Sequence, residues 1–211
     1  MSKTLLFQGD SITDCGRYTC GGAGYPMYDL GPGYAGIIAT TLLGEQPEKD
    51  WKIINRGYSG HRIVDLYARW KHDAININPD ILSMLIGIND VGHEFAHKNG
   101  VDEERFDAFY RMLLDWSKEN NPNIKFVIMQ PFVYGFGIAN SDWEPIVAKR
   151  GEIVRKIAQD YNAVYIPLQE IFDEALKIAP KEYWVVDGIH PTMAGHHLIV
   201  KAWLEATKDI L

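Results

Sequence analysis

Ser11 stands at the centre of the stretch Gln8-Gly9-Asp10-Ser11-Ile12-Thr13-Asp14, which follows the apolar run Thr4-Leu5-Leu6-Phe7. That run reads as a short buried strand, so Ser11 falls where the strand ends. Gly9 allows close backbone approach, and a serine on the tight turn after a strand can present its hydroxyl at the carboxyl edge of a sheet, where α/β folds bind their ligands. Asp and Ser are also ordinary turn residues, so the stretch by itself equally describes a helix cap. The spacing Asp187-x-x-His190, followed by Pro191 at the expected start of a helix, supplies the rest of a nucleophilic site. Residues three apart on a helical turn face the same side, so Asp187 can accept from one imidazole nitrogen while the other faces outward. Alone, that spacing also suits a capping aspartate beside a surface histidine. Together with a strand-end serine it gives a nucleophile, a base and a carboxylate that fixes the tautomer.

Acyl transfer further needs donors aimed at a developing oxyanion. Asn89, at the end of an apolar run over 80–86, offers a side-chain NH2, and Gly60 offers a backbone N–H from the turn Arg56-Gly57-Tyr58-Ser59-Gly60. The Ser11 N–H would be the third donor. Asn89 as a plain turn residue and Gly60 as a helix N-cap remain alternatives. Two other motifs compete. His93-Glu94-Phe95-Ala96-His97 matches the string by which zinc peptidases hold their metal, but Gly92 before it and Lys98-Asn99-Gly100 after it leave little more than one turn, with no third ligand just downstream. Ser59 in Gly57-Tyr58-Ser59-Gly60 is a near miss to a nucleophile elbow, with His61 in the final glycine position.

The elements that must position these residues alternate along the chain. Strands are expected at 4–7, 51–55, 80–86, 125–130 and 164–166, with helices at 34–43, 61–78, 103–119, 143–161, 169–178 and 192–208. The evenly apolar third strand should be central and buried on both faces. Irregular Gly- and aromatic-rich loops are expected at 15–33 and 131–137, and connections at 91–100 and 183–187. This order predicts an α/β fold with three α/β/α layers, flavodoxin-like, its five parallel strands in the order 2-1-3-4-5. Ser11 and Asn89 then face each other across the switch point between the first and third strands, where ligands bind.

The 211 residues, 46% of them hydrophobic, suit one domain over 1–211 with a sizeable core. No run approaches the ~20 apolar residues of a membrane span, and Met1-Ser2-Lys3-Thr4 enters the first strand without a signal-peptide pattern, so a cytoplasmic protein is expected. Cys15 and Cys20 are too few for a disulfide framework and read as free thiols. A net charge of −7 disfavours nucleic acid and acidic membranes as partners and suits a small neutral substrate.

Over nearly its whole length the chain resembles the SGNH hydrolases, also called GDSL esterases and lipases. Their four blocks stand here as Gly9-Asp10-Ser11-Ile12-Thr13, Asn55-x-Gly57-x-Ser59-Gly60, Gly87-Ile88-Asn89-Asp90 and Asp187-x-x-His190-Pro191. The resemblance implies Ser11 as nucleophile, His190 as general base and acid, Asp187 as its orienting partner, and an oxyanion hole of Ser11, Gly60 and Asn89, with no metal or other cofactor. Within the family, residues 9–17, Ala68-Arg69-Trp70, residues 86–91 and Trp184 look most like intracellular acetylxylan esterases, which remove acetyl groups from xylo-oligosaccharides. That implies a small acetylated carbohydrate as substrate and a homo-oligomer as the assembly. Asp10, Tyr25, Phe132 and Trp184 are the candidate substrate contacts, with Tyr28 and Tyr134 in the same loops. Such aromatics would equally serve an acyl chain or pack against one another. A lysophospholipase or thioesterase, a zinc peptidase and a non-catalytic carbohydrate-binding protein are the competing readings.

Overall fold

The computed structural model describes residues 2–19 and 26–211; Cys20 and Tyr25 lie outside them. Strands β1 (Thr4–Gly9), β2 (Lys52–Gly57), β3 (Ile81–Leu85), β4 (Lys125–Met129) and β5 (Val164–Ile166) pair in parallel in the order 2-1-3-4-5. Around them run helices α1 (Ser11–Asp14), α2 (Pro26–Leu30), α3 (Tyr34–Glu45), α4 (Ile63–Trp70), α5 (Ile88–His97), α6 (Glu103–Asn120), α7 (Glu144–Asp160), α8 (Leu168–Ala175), α9 (Lys181–Trp184) and α10 (Met193–Ala206).

Strand periodicity divides the core in two. Leu5, Phe7, Ile81, Leu85, Val127 and Met129 face one layer with Tyr34, Ile38, Phe172 and Trp203, whereas Leu6, Leu82, Met84, Phe126 and Ile128 face the other with Leu66, Trp70, Phe106, Tyr110 and Ile157. Burying each such side chain contributes roughly 1.5–3 kcal/mol. Each layer centres on a fully buried tryptophan whose indole N–H is satisfied by a serine: Trp203 donates to Ser83 Oγ and Trp70 to Ser117 Oγ, both at 3.0 Å. A smaller cluster of Ile88, Val91, Val133, Trp143, Val147 and Ile189 lies beyond the strand ends. It supports the loops that carry the site.

The fold agrees with the expected class and strand order, with four local differences. Residues 91–100, expected as a connection, mostly continue α5, because Ile88, Val91 and Gly92 form a short buried stripe that packs on Trp143. The helix expected over 61–78 is α4 followed by a wider π turn, Lys71–Ile75. Part of the loop at 183–187 belongs to α9, and α2 forms within the long loop 15–33.

Candidate active site

The turn after β1 is shaped by two glycines. Gly9 and Gly57 are register partners on β1 and β2, and a Cβ on either would collide with α1, at Thr13 from Gly9 and at the Asp14 amide from Gly57. Their absence of side chains lets α1 sit down on the strand ends. Asp10 caps that helix, accepting from the Ile12 N–H at 3.0 Å, and Ser11 is its first residue.

Ser11 Oγ lies 2.8 Å from His190 Nε2, and His190 Nδ1 lies 2.8 Å from Asp187 Oδ2. The other carboxylate oxygen of Asp187 accepts from the His190 and Ile189 N–H groups at 2.9 and 3.2 Å. Burial works to raise the Asp187 pKa, but these three donors and the imidazole charge outweigh it and hold the carboxyl below the usual aspartate range. With Asp187 ionised, the proton of a neutral imidazole belongs on Nδ1, leaving the Nε2 lone pair toward the serine. The loop bearing Asp187 and His190 is pinned on both sides: Ile138 and Tyr134 donate their N–H groups to Asp187 O and Gly188 O at 3.0 and 2.8 Å, and Val186 and Thr192 bond across it.

The other expected donors stand on the turn after β2 and at the start of α5. Gly60 sits at φ +80, a conformation that glycine adopts without strain. The Tyr58 N–H donates to Gly9 O at 3.0 Å and the Ser59 N–H to Asp14 Oδ2 at 3.0 Å, which ties the Gly60 turn to the Ser11 turn. Asn89 Nδ2 donates to His61 O at 3.1 Å, so one amide hydrogen orients the side chain and the second remains for a ligand. Among the described residues neither the Ser11 nor the Gly60 N–H has an acceptor. The arrangement presents a base-linked hydroxyl next to segments that carry donors.

The candidate substrate contacts fare differently. Asp10 is 1% exposed and serves α1 from beneath, so its carboxyl is not open to a substrate. Burial pushes its pKa up to about 7, against the lowering influence of the Ile12 N–H and the His190 charge. Phe132 is wholly buried, stacked on Phe172 with ring centroids 4.4 Å apart, and belongs to the core. Trp184 is also nearly enclosed, its indole N–H donating to Ala179 O at 3.1 Å. Tyr134 is buried with its hydroxyl on Asp173, whereas Tyr28 is exposed. Phe132, Tyr134 and Trp184, which look like a lining to a sequence pattern, are the residues that close the core beneath their loops.

Of the competing motifs, His93 and His97 do share one face of α5, with ring centroids 5.9 Å apart, but Glu94 is turned to the Gly100 N–H at 3.2 Å. No group of three metal-ligating side chains converges among the described residues. Ser59 is exposed on the Gly60 turn and reaches the site only through its backbone. Cys15 is a free thiol whose pKa burial and Asp14 push up, 3.4 Å from His196 Nε2.

Asp90, buried beside Asn89, accepts through its carboxylate from the Ile63 N–H at 3.0 and 3.2 Å and so joins the start of α4 to the start of α5, a role that its spacing does not disclose. Burial pushes its pKa up to about 7, and the nearby Asp10 adds to that, against the Ile63 N–H and the Arg150 charge. The signal for Asp90 is its place directly after Asn89 at the end of a fully apolar strand.

Comparison with known proteins places the chain among ester hydrolases. The GDSL-like Lipase/Acylhydrolase family matches residues 7–198. An acetylxylan esterase of Geobacillus stearothermophilus is 34% identical over 206 residues, covering 96% of this chain and 92% of the relative. Its crystal structure superposes with a TM-score of 0.84 at 32% identity, over 97% of this chain and 93% of that one. A structure from Parabacteroides merdae, described with the GDSL-like lipases, superposes with a TM-score of 0.93 at 39% identity, over 98% and 96% of the two chains.

Proposed function

The chain belongs to the GDSL-like lipase/acylhydrolase family and is a carboxylic ester hydrolase, and from that premise we propose that it removes acetyl groups from acetylated xylo-oligosaccharides through an acetyl-enzyme on Ser11. The observation that carries this reading is the unbroken relay Ser11–His190–Asp187, with 2.8 Å at each step.

Ser11 Oγ attacks the ester carbonyl while His190 Nε2 takes its proton. The carbonyl oxygen becomes an oxyanion and is met by the Ser11 N–H, the Gly60 N–H and the second Asn89 hydrogen. The C–O bond to the sugar then breaks, and His190 returns the proton to the departing hydroxyl. Water, deprotonated by His190, attacks the acetyl-serine; collapse frees acetate and restores the serine with the proton from His190. Asp187 keeps the imidazole in the tautomer that the cycle needs.

The acetyl preference rests on the similarity to the Geobacillus acetylxylan esterase. Hydrolysis of 4-nitrophenyl esters from acetyl to octanoyl, followed by acetylated xylo-oligosaccharides, tests it: kcat/KM should fall steeply beyond acetyl, and a preference for octanoyl would put the longer-chain reading in its place. Asp187→Asn should lower kcat by roughly 10³–10⁴-fold in the same assay.

The same reading includes a cytoplasmic location and a homo-oligomer. Around the His190 loop Val186 and Met193 are 65% and 90% exposed, surface that a second copy would cover. Light scattering after size exclusion should give more than one chain per particle.

A further inference from the structure

The Tyr58–His61 turn carries the Gly60 N–H and the carbonyl that orients Asn89, yet it has no regular structure of its own. Its side chains are held by α4. Arg69 donates from Nε to His61 Nδ1 at 3.1 Å, and its guanidinium carbon lies 4.6 Å from the centre of the Tyr58 ring. Tyr58 and His61 stack on each other, ring centroids 5.3 Å apart. Arg17 adds a second guanidinium over Tyr58, at 4.5 Å, and donates from Nε to Gly57 O at 2.8 Å. Arg69 is itself fixed: its Nη1 donates to Gln8 Oε1 at 2.9 Å and to Asp73 Oδ2 at 3.0 Å, with its side chain 14% exposed. Gln8 lies on β1, three residues before Ser11, so one guanidinium spans the strand that ends at the serine and the turn that ends at Gly60.

We infer that Arg69 is a positioning residue for the oxyanion site, holding His61 and Tyr58 so that the Gly60 N–H and, through the His61 carbonyl, the Asn89 amide are presented to the acyl group. The inference rests on the proposed esterase mechanism. Arginine is a donor only, so the contact requires His61 Nδ1 to accept and its proton to sit on Nε2. Protonating Nδ1 would break the clamp. The environment agrees: burial first, then the Arg69 charge, lowers the His61 pKa, with Arg62 in the same sense and Asp65 and Asp73 opposing. A planar fork that meets a ring face and an in-plane nitrogen together is a geometry lysine does not reproduce.

The test uses the whole protein and 4-nitrophenyl acetate. Removing an oxyanion donor lowers kcat by roughly 10²–10³-fold, and a misplaced one by up to about 10²-fold. Arg69→Gln should therefore lower kcat about 10–100-fold, with KM changed less than about threefold. His61→Phe keeps the stack and the carbonyl, leaves Arg69 on Gln8 and Asp73, and should lower kcat to a similar extent. The double variant should be no worse than the poorer single one, because both break one contact. Nitrogen NMR on histidine-labelled protein should show His61 protonated on Nε2 only, and the Arg69→Gln variant should take up the second proton at higher pH than the parent. Parental kcat in Arg69→Gln, single effects that multiply in the double variant, or an Nδ1-protonated His61 in the parent would each overturn the inference. Should Arg69→Gln fail to fold, His61→Phe and the parent spectrum decide the matter. A parent that hydrolyses no acetyl ester would sink the esterase reading instead, and the His61 spectrum would still report on the clamp.

Discussion

Asp10 and Asp90 place two carboxyls inside the protein, one at the start of the helix that begins with Ser11 and one linking the helix of Asn89 to the N-terminus of α4. Each is pushed up to about 7 by burial, and Asp10 raises Asp90 further. The sign of the consequence follows. Between the ordinary aspartate range and about pH 7 the folded chain holds protons that the unfolded chain has released, so stability falls as pH rises through that window. Asp90→Asn keeps an oxygen for the Ile63 N–H and removes one of these titrations. Relative to the parent, the variant should gain roughly 1–3 kcal/mol of stability between pH 5 and pH 8 in urea unfolding. Parallel pH dependences in parent and variant would show that Asp90 stays ionised throughout. At this scale the sequence makes Ser11, Asp187 and His190 legible because strand ends and i, i+3 spacing have geometric meaning. Arg69 and His61 stay hidden because eight residues across a turn-to-helix boundary say nothing about which way either side chain points. Phe132 and Trp184 mislead for a related reason, since aromatic residues in a loop close a core as readily as they line a cleft.

The elements themselves set the spacing between the reacting groups. Gly9 and Gly57 let α1 settle on the strand ends, so their substitution should act on the site through position. Gly57→Ala drives a methyl group into the α1 backbone and should destabilise the fold by roughly 1–3 kcal/mol while lowering kcat. Gly44, in α3, has nothing within 4 Å of a built Cβ; Gly44→Ala should be neutral or stabilise by up to about 1 kcal/mol with kcat unchanged. Thermal unfolding beside acetyl ester assays separates the two, and equal losses from both would remove the packing argument. Strands and long helices are legible because their periods repeat over several residues. The α5 helix is not, because its buried stripe consists of Ile88, Val91 and Gly92 among polar neighbours, and the tryptophan that completes it, Trp143, lies fifty residues on.

At the scale of the molecule, successive β–α units bring the turns after β1, β2 and β3 to one edge of the sheet, and the late Asp187–His190 loop reaches the same edge. The order 2-1-3-4-5 is readable from the alternation of strands and helices, and the family and the ester hydrolase class from the four blocks, which that order brings to one crevice. What the blocks do not carry is the identity of the groups underneath, which depends on contacts between layers far apart in the chain. The central claim, that Ser11 is the nucleophile served by His190, is open to a direct chemical measurement. Treatment with an alkyl fluorophosphonate followed by peptide mapping should place one phosphonyl group per chain on Ser11, with acetyl ester hydrolysis lost in step and no labelling of Ser11→Ala. Label on Ser59, or undiminished hydrolysis by Ser11→Ala, would contradict the account.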